Sequence, residues 1–133
     1  MIDLVFFYGT LMSGFDRAGR AKLGQALKPI GRGCINAALF DLGIYPAAVP
    51  ADEGHVWGEV HQMLHPGDVL ATLDEIEGFS AQAPDSSLYR RVDAPVTFDD
   101  GHVDRAWVYF YNAPLGRAER IQSGDYLQHL KVK

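Results

Sequence analysis

A carboxylate pair, Asp74-x-x-Glu77, lies inside Leu73-Asp74-Glu75-Ile76-Glu77-Gly78. At a spacing of three, the two side chains occupy neighbouring parts of one helix face. Glu77 also falls on the arc of Leu70 and Leu73, so it is expected to point inward. A carboxyl group taken out of water there should have a raised pKa. That property suits a general acid or base near neutral pH. The same residues would also serve as a solvated acidic helix end. Glu75 faces another side and is expected in solvent, with Asp74 capping or orienting locally.

Two further groups could bind a small polar ligand. Tyr8-Gly9-Thr10-Leu11, with Gly14 close behind, ends a run of β-formers. Gly9 permits a sharp turn and the close approach of a ligand. Consecutive backbone N–H groups in such a turn can hold a carboxylate without a charged side chain. A tight structural turn would explain the same residues. Tyr89-Arg90-Arg91 and the strand Trp107-Val108-Tyr109-Phe110-Tyr111 could orient a ligand against an apolar wall. They could equally be core aromatics beside a solvated arginine pair.

Other chemistry finds less support. His55, His61 and His65 with Glu59 form no tight ligand motif, although Glu59 and His61 would share one strand face. The histidines are expected at strand ends or on the surface, and no metal and no cofactor are expected. Ser13 lacks a G-x-S-x-G setting, and no nucleotide-binding glycine motif occurs. Asp52-Glu53 and Asp99-Asp100 read as loop and turn charges. Cys34, the one cysteine, can form no intramolecular disulfide and reads as a buried structural thiol, which fits a reducing, cytoplasmic setting.

The elements that must position these groups follow from periodicity. Leu4–Tyr8 reads as a buried central strand. Asp16 can cap a helix over 17–27. Ile30–Leu42 reads as an extended strand, and 43–54, with Pro46 and Pro50, as a loop. Val56, Val60 and Leu64 alternate with Trp57, Glu59, His61 and Met63 in a period-2 strand. Asp68 is expected to cap a helix that Gly78 stops. Leu88–Phe98 and His102–Tyr111 form a hairpin around Asp99-Asp100-Gly101, and 118–130 reads as a helix broken at Gly124. The order β, α, β, β, α, β, β, α suggests an α+β fold. Its hairpins favour a small closed or strongly curved mixed β-barrel with two to three flanking helices.

The 133 residues suit a single domain over 1–133. A net charge of −5, with no run of Lys or Arg, argues against a nucleic-acid partner. The opening lacks a basic region before its apolar run, and no apolar stretch approaches the length of a membrane span, so neither a signal peptide nor a membrane partner is expected.

Taken in order, these segments resemble the γ-glutamylcyclotransferase superfamily. Val5–Gly14 resembles its opening signature, Leu39–Ala47 its second segment and Val56–Val60 its third. Leu73–Gly78 is similar to the helix carrying the catalytic glutamate. Tyr89-Arg90-Arg91, Ala106–Tyr109 and Ile121–Tyr126 follow in the family's order. The resemblance implies a closed barrel with a pocket at one mouth. It implies an acyltransferase- or lyase-type enzyme whose small-molecule γ-glutamyl substrate closes to 5-oxoproline and releases an amine. By the same resemblance Glu77 is the acid/base. The backbone of Gly9, Thr10 and Leu11 holds the α-carboxylate, Tyr8 and Tyr45 line the pocket, and Tyr89 and Tyr109 lie near the substrate. The loop Phe79–Ser87 would set which γ-glutamyl group enters. The alternative is a non-catalytic binding module that keeps the pocket. The chain is expected to act as a monomer or small homo-oligomer.

Overall fold

The structure is a computed structural model that describes residues 2–9, 12, 23 and 25–131. Its spine is a long hairpin. Strands β2 (Leu27–Asp41) and β3 (Pro46–Met63) pair antiparallel from Leu27↔Met63 to Asp41↔Pro46. On the other edge of β3, β1 (Leu4–Phe7) runs antiparallel to it. β1 is in turn parallel to β5 (Val103–Tyr111) at Val5↔Trp107. Strand β4 (Tyr89–Phe98) pairs with β5 and returns to β2 at Gly33 and Cys34. The order β3-β1-β5-β4-β2 therefore closes through β2–β3 into a mixed barrel. A two-residue strand, β6 (Glu119–Arg120), extends β2 at Phe40 and Asp41.

Apolar burial explains the closure. Phe6 lies opposite Val60, and Val56, Val96 and Val108 are fully buried with them. All four residues of β1 are buried, as a central strand requires. Helix α1 (Pro66–Glu77) packs on this body through Val69 and Leu73, which recur at i and i+4. Burying each contributes about 1.5–3 kcal/mol. The next position on that stripe is Glu77, also buried. The apolar residues one and two turns earlier therefore carry the carboxyl group inward. A second, shorter helix, α2 (Tyr126–Lys131), sits near the C-terminal end. Among the described residues no helix is long and apolar enough to cross a membrane.

Four expectations need correction or fall outside the description. The stretch 46–54 is the first half of β3, not loop. Residues 46–50 pair with β2, while β1 meets β3 only at 59–62, so Pro46 and Pro50 sit on an edge where a missing N–H is tolerated. Asp68 does not cap α1. The N-cap is His65 with no side-chain bond, Pro66 pre-sets the first turn, and Asp68 lies within it. The tail is helical only from Tyr126. Gly124 adopts φ 69° with its backbone against the His55 carbonyl, and before it Glu119 and Arg120 join the sheet. Most of the helix expected over 17–27 lies outside the described residues; within them, 25 and 26 form a turn and Leu27 already belongs to β2.

Candidate functional site

Glu77 is 6% exposed at the last turn of α1. Gly78, at φ 69°, ends the helix, and the N–H groups of Gly78 and Phe79 return to the carbonyls of Glu75 and Asp74. Glu75 is exposed, as its position on the helix predicts.

Asp74, one turn before Glu77, is tied from two strands. From β4, Arg91 donates Nε to Oδ1 at 2.8 Å and Nη2 to Oδ2 at 3.2 Å. From β5, the Tyr109 hydroxyl donates to Oδ1 at 2.6 Å. The Arg91 guanidinium lies over the Trp107 ring at 4.6 Å and near Phe79 at 5.5 Å. This bidentate, stacked arrangement fixes the pitch of α1 against the barrel wall and thereby the position of Glu77. Burial pushes the Tyr109 hydroxyl well above its ordinary pKa. The hydrogen bond and charge of Asp74 push the same way, Glu77 adds to them, and Arg91 opposes. Tyr109 is therefore a fixed neutral donor that feels both carboxylates of α1.

The remaining aromatic residues gather around the same end of the barrel. Tyr8 is buried, and its hydroxyl donates to the Tyr109 carbonyl at 2.7 Å while accepting from Ala48 N–H at 3.3 Å. Tyr89 is buried, and its hydroxyl lies 3.4 Å from the Pro46 carbonyl. Its ring centroid is 6.3 Å from that of half-buried Tyr45 and 5.3 Å from that of Tyr111. Gly9 is pressed against the Pro46 ring. A Cβ there would come within 2.8 Å of Pro46 Cγ, so only glycine lets the turn after β1 lie so close to the start of β3. The structure thus brings Tyr8, Gly9, Tyr45, Tyr89 and Tyr109 into one connected group through Pro46 and the Tyr8–Tyr109 bond. Thr10 and Leu11 lie outside the described residues.

Sequence reasoning missed the tie of Arg91 to Asp74 and the roles of Pro46 and Asn112. Arg91 looked like half of a solvated pair, and only exposed Arg90 fits that description. Asn112 Nδ2 donates to the carbonyls of Pro84, Asp85 and Ser87, and Ser87 Oγ accepts from Ser80 N–H at 2.8 Å. The segment between α1 and β4 is therefore a pinned loop with its own hydrogen bonds. His61 also departs from expectation. It is fully buried, with Nε2 3.0 Å from Glu59 Oε1 and Nδ1 lacking a partner among the described residues. The shared strand face was foreseen, but its covering was not. Cys34 is buried in β2, and desolvation raises its pKa, so it stays a thiol.

Comparison with known proteins bears on the chain as a whole. The family described as Gamma-glutamyl cyclotransferase, AIG2-like, matches residues 5–128. The chain is similar to a candidate gamma-glutamylcyclotransferase of Vibrio cholerae, at 34% identity over 98% of this chain and 100% of that one. It is 32% identical to the gamma-glutamylcyclotransferase family protein YtfP of Escherichia coli, over 72% of this chain and 73% of that one. The solution structure of that E. coli protein superposes with a TM-score of 0.66 at 29% identity, covering 95% and 97% of the two chains. The crystal structure of YkqA from Bacillus subtilis gives 0.74 at 27% identity, covering 99% of this chain and 42% of that one. The chain thus spans about two fifths of YkqA.

Proposed function

The chain belongs to the Gamma-glutamyl cyclotransferase, AIG2-like family, and we propose that it cyclises the γ-glutamyl group of a γ-glutamyl-amine or γ-glutamyl peptide, with Glu77 as general acid/base. The observation that carries this reading is Glu77 itself, a carboxyl group buried on a helix braced against the barrel through Asp74, Arg91 and Tyr109.

The chemistry needs few parts. A substrate α-ammonium is no nucleophile until it loses a proton, and Glu77 takes it. The freed nitrogen bonds to the γ-carbonyl carbon and closes a five-membered ring. Glu77 returns the proton to the leaving nitrogen as its C–N bond breaks. The extra proton on the new ring nitrogen departs with the released amine. The products are 5-oxoproline and that amine, and no water is consumed. One positioned carboxyl group serving both transfers is worth about 10²–10⁴-fold. Nucleophile and electrophile belong to one molecule, so holding the folded conformer supplies several kcal/mol more, with about 7–11 as the upper range.

The main chain of Gly9, Thr10 and Leu11 would hold the α-carboxylate, and Tyr45 and Tyr89 would wall the glutamyl chain. Tyr8 and Tyr109 act differently from plain pocket walls. Their hydroxyls are committed to the barrel and to Asp74, so they set the shape of the site. The test is product analysis with a panel of γ-glutamyl-amines and γ-glutamyl dipeptides. Equimolar 5-oxoproline and amine are expected. Glutamate in place of 5-oxoproline would mean hydrolysis and would overturn the reaction. Ligand-induced stabilisation with no product from any member would favour the binding-module alternative.

A further inference from the structure

Three side chains, the outer two 88 positions apart in sequence, meet at the end of the long hairpin. Asp41 is the last residue of β2, Glu119 pairs opposite it on β6, and His129 comes from α2. One donor atom from each lies within 4.8 Å of the other two. His129 Nε2 and Asp41 Oδ2 are 2.8 Å apart, with side chains only 12% and 6% exposed. Asp41 Oδ1 accepts the Gly43 N–H at 2.7 Å, which orients the carboxylate. A groove of about 430 Å³, lined by Asp41, Glu119, Leu115 and Arg117 among others, runs alongside.

We propose that Asp41, Glu119 and His129 bind one divalent transition-metal ion of the Zn²⁺ type. Donors held about 2.0–2.2 Å from a common ion are themselves roughly 3–3.5 Å apart. The two inner donors are 2.8 Å apart through a hydrogen bond; the ion would displace the proton between them and open that spacing slightly, and exposed Glu119 can close the remainder by rotation. An imidazole with two carboxylates suits a borderline ion better than Mg²⁺ or Ca²⁺, which favour all-oxygen sets. Arg117 borders the groove and opposes a cation, but two carboxylates outnumber it. The Gly43 bond supplies the outer support that ligating carboxylates require. Three protein donors leave room for water on the ion, and the groove gives it a path in. The consequence is structural. An isolated helix as short as α2 is not stable, and the ion would fasten it to the hairpin and β6 at once.

None of these residues belongs to the Glu77 corner, so the proposal stands or falls apart from the cyclotransferase reading. The test uses the untagged full chain, titrated with Zn²⁺ by calorimetry and with Co²⁺ by visible absorption. One ion per chain is expected, with a rise in Tm on loading. The variant His129→Gln keeps an N–H donor toward Asp41 while removing the imidazole, and Glu119→Gln leaves the His–Asp pair intact. Each should weaken binding by about 10–100-fold or more while the metal-free chains stay folded. No saturable binding by the wild type, or unchanged affinity in either variant, overturns the proposal.

Discussion

The carboxylates at the end of α1 and those at the end of the hairpin are held in opposite ways. Asp74 and Glu77 are neighbours on one helix, and the sheet comes to them. Arg91 from β4 and Tyr109 from β5 converge on Asp74, while the apolar stripe Val69–Leu73 buries Glu77. Asp41, Glu119 and His129 come from three elements, and only the closed fold makes them neighbours. The first arrangement is braced before any ligand arrives, as acid/base chemistry needs. The second keeps one exposed donor that a ligand would have to order. On the roles proposed for them, the first would be a site built for geometry and the second one built for fastening.

The sharpest break of the first arrangement is Glu77→Gln. It preserves shape, removes the proposed proton carrier, and should lower kcat for 5-oxoproline release by about 10²–10⁴-fold with an unchanged circular dichroism spectrum. Activity within a few-fold of wild type would remove Glu77 from the reaction. Next comes Asp74→Asn, which strands the partly buried Arg91 and should cost about 1–3 kcal/mol in urea unfolding. A loss well below that would mean the brace is ornamental.

Tyr109 gives a pH signature. Its hydroxyl ionises later in the folded chain than in the unfolded one, so above the ordinary phenol value of 10.0 the folded state holds the extra proton. The stability it contributes is fully present below that pH. It should fall by about 1.4 kcal/mol per pH unit above it. Tyr109→Phe should flatten that part of the alkaline stability curve, and an unchanged slope would contradict the assignment. The smallest effect belongs to the other region. In metal-free chain, His129→Gln should shift stability by about 0.5–1.5 kcal/mol, because the Asp41 contact persists. A larger loss would show that the corner is already fastened without an ion.

The inward face of Glu77 was legible because Leu73 and Gly78 bracket it within one helical stretch. The barrel was legible from alternation in β3 and the Asp99–Gly101 turn between β4 and β5. Arg91 was not, because a guanidinium next to an exposed Arg90 carries no local mark of stacking on Trp107. Pro46 was read as a loop residue, since nothing local announces an edge where a missing N–H is tolerated. His61 looked like a surface residue on an alternating strand, but the outer face of β3 is itself covered at that point, where Phe7 packs on the imidazole at 5.2 Å. The Asp41–Glu119–His129 corner left no trace in the sequence, because its spacing is set by tertiary closure alone.

The central claim is that Glu77 reaches the nitrogen that becomes the ring nitrogen. A crystal structure with 5-oxoproline bound tests it directly. The account predicts the Glu77 carboxyl about 2.6–3.2 Å from that nitrogen, with the ligand carboxylate on the main chain of Gly9–Leu11. A ligand seated elsewhere, or Glu77 turned away from the ring, would contradict it.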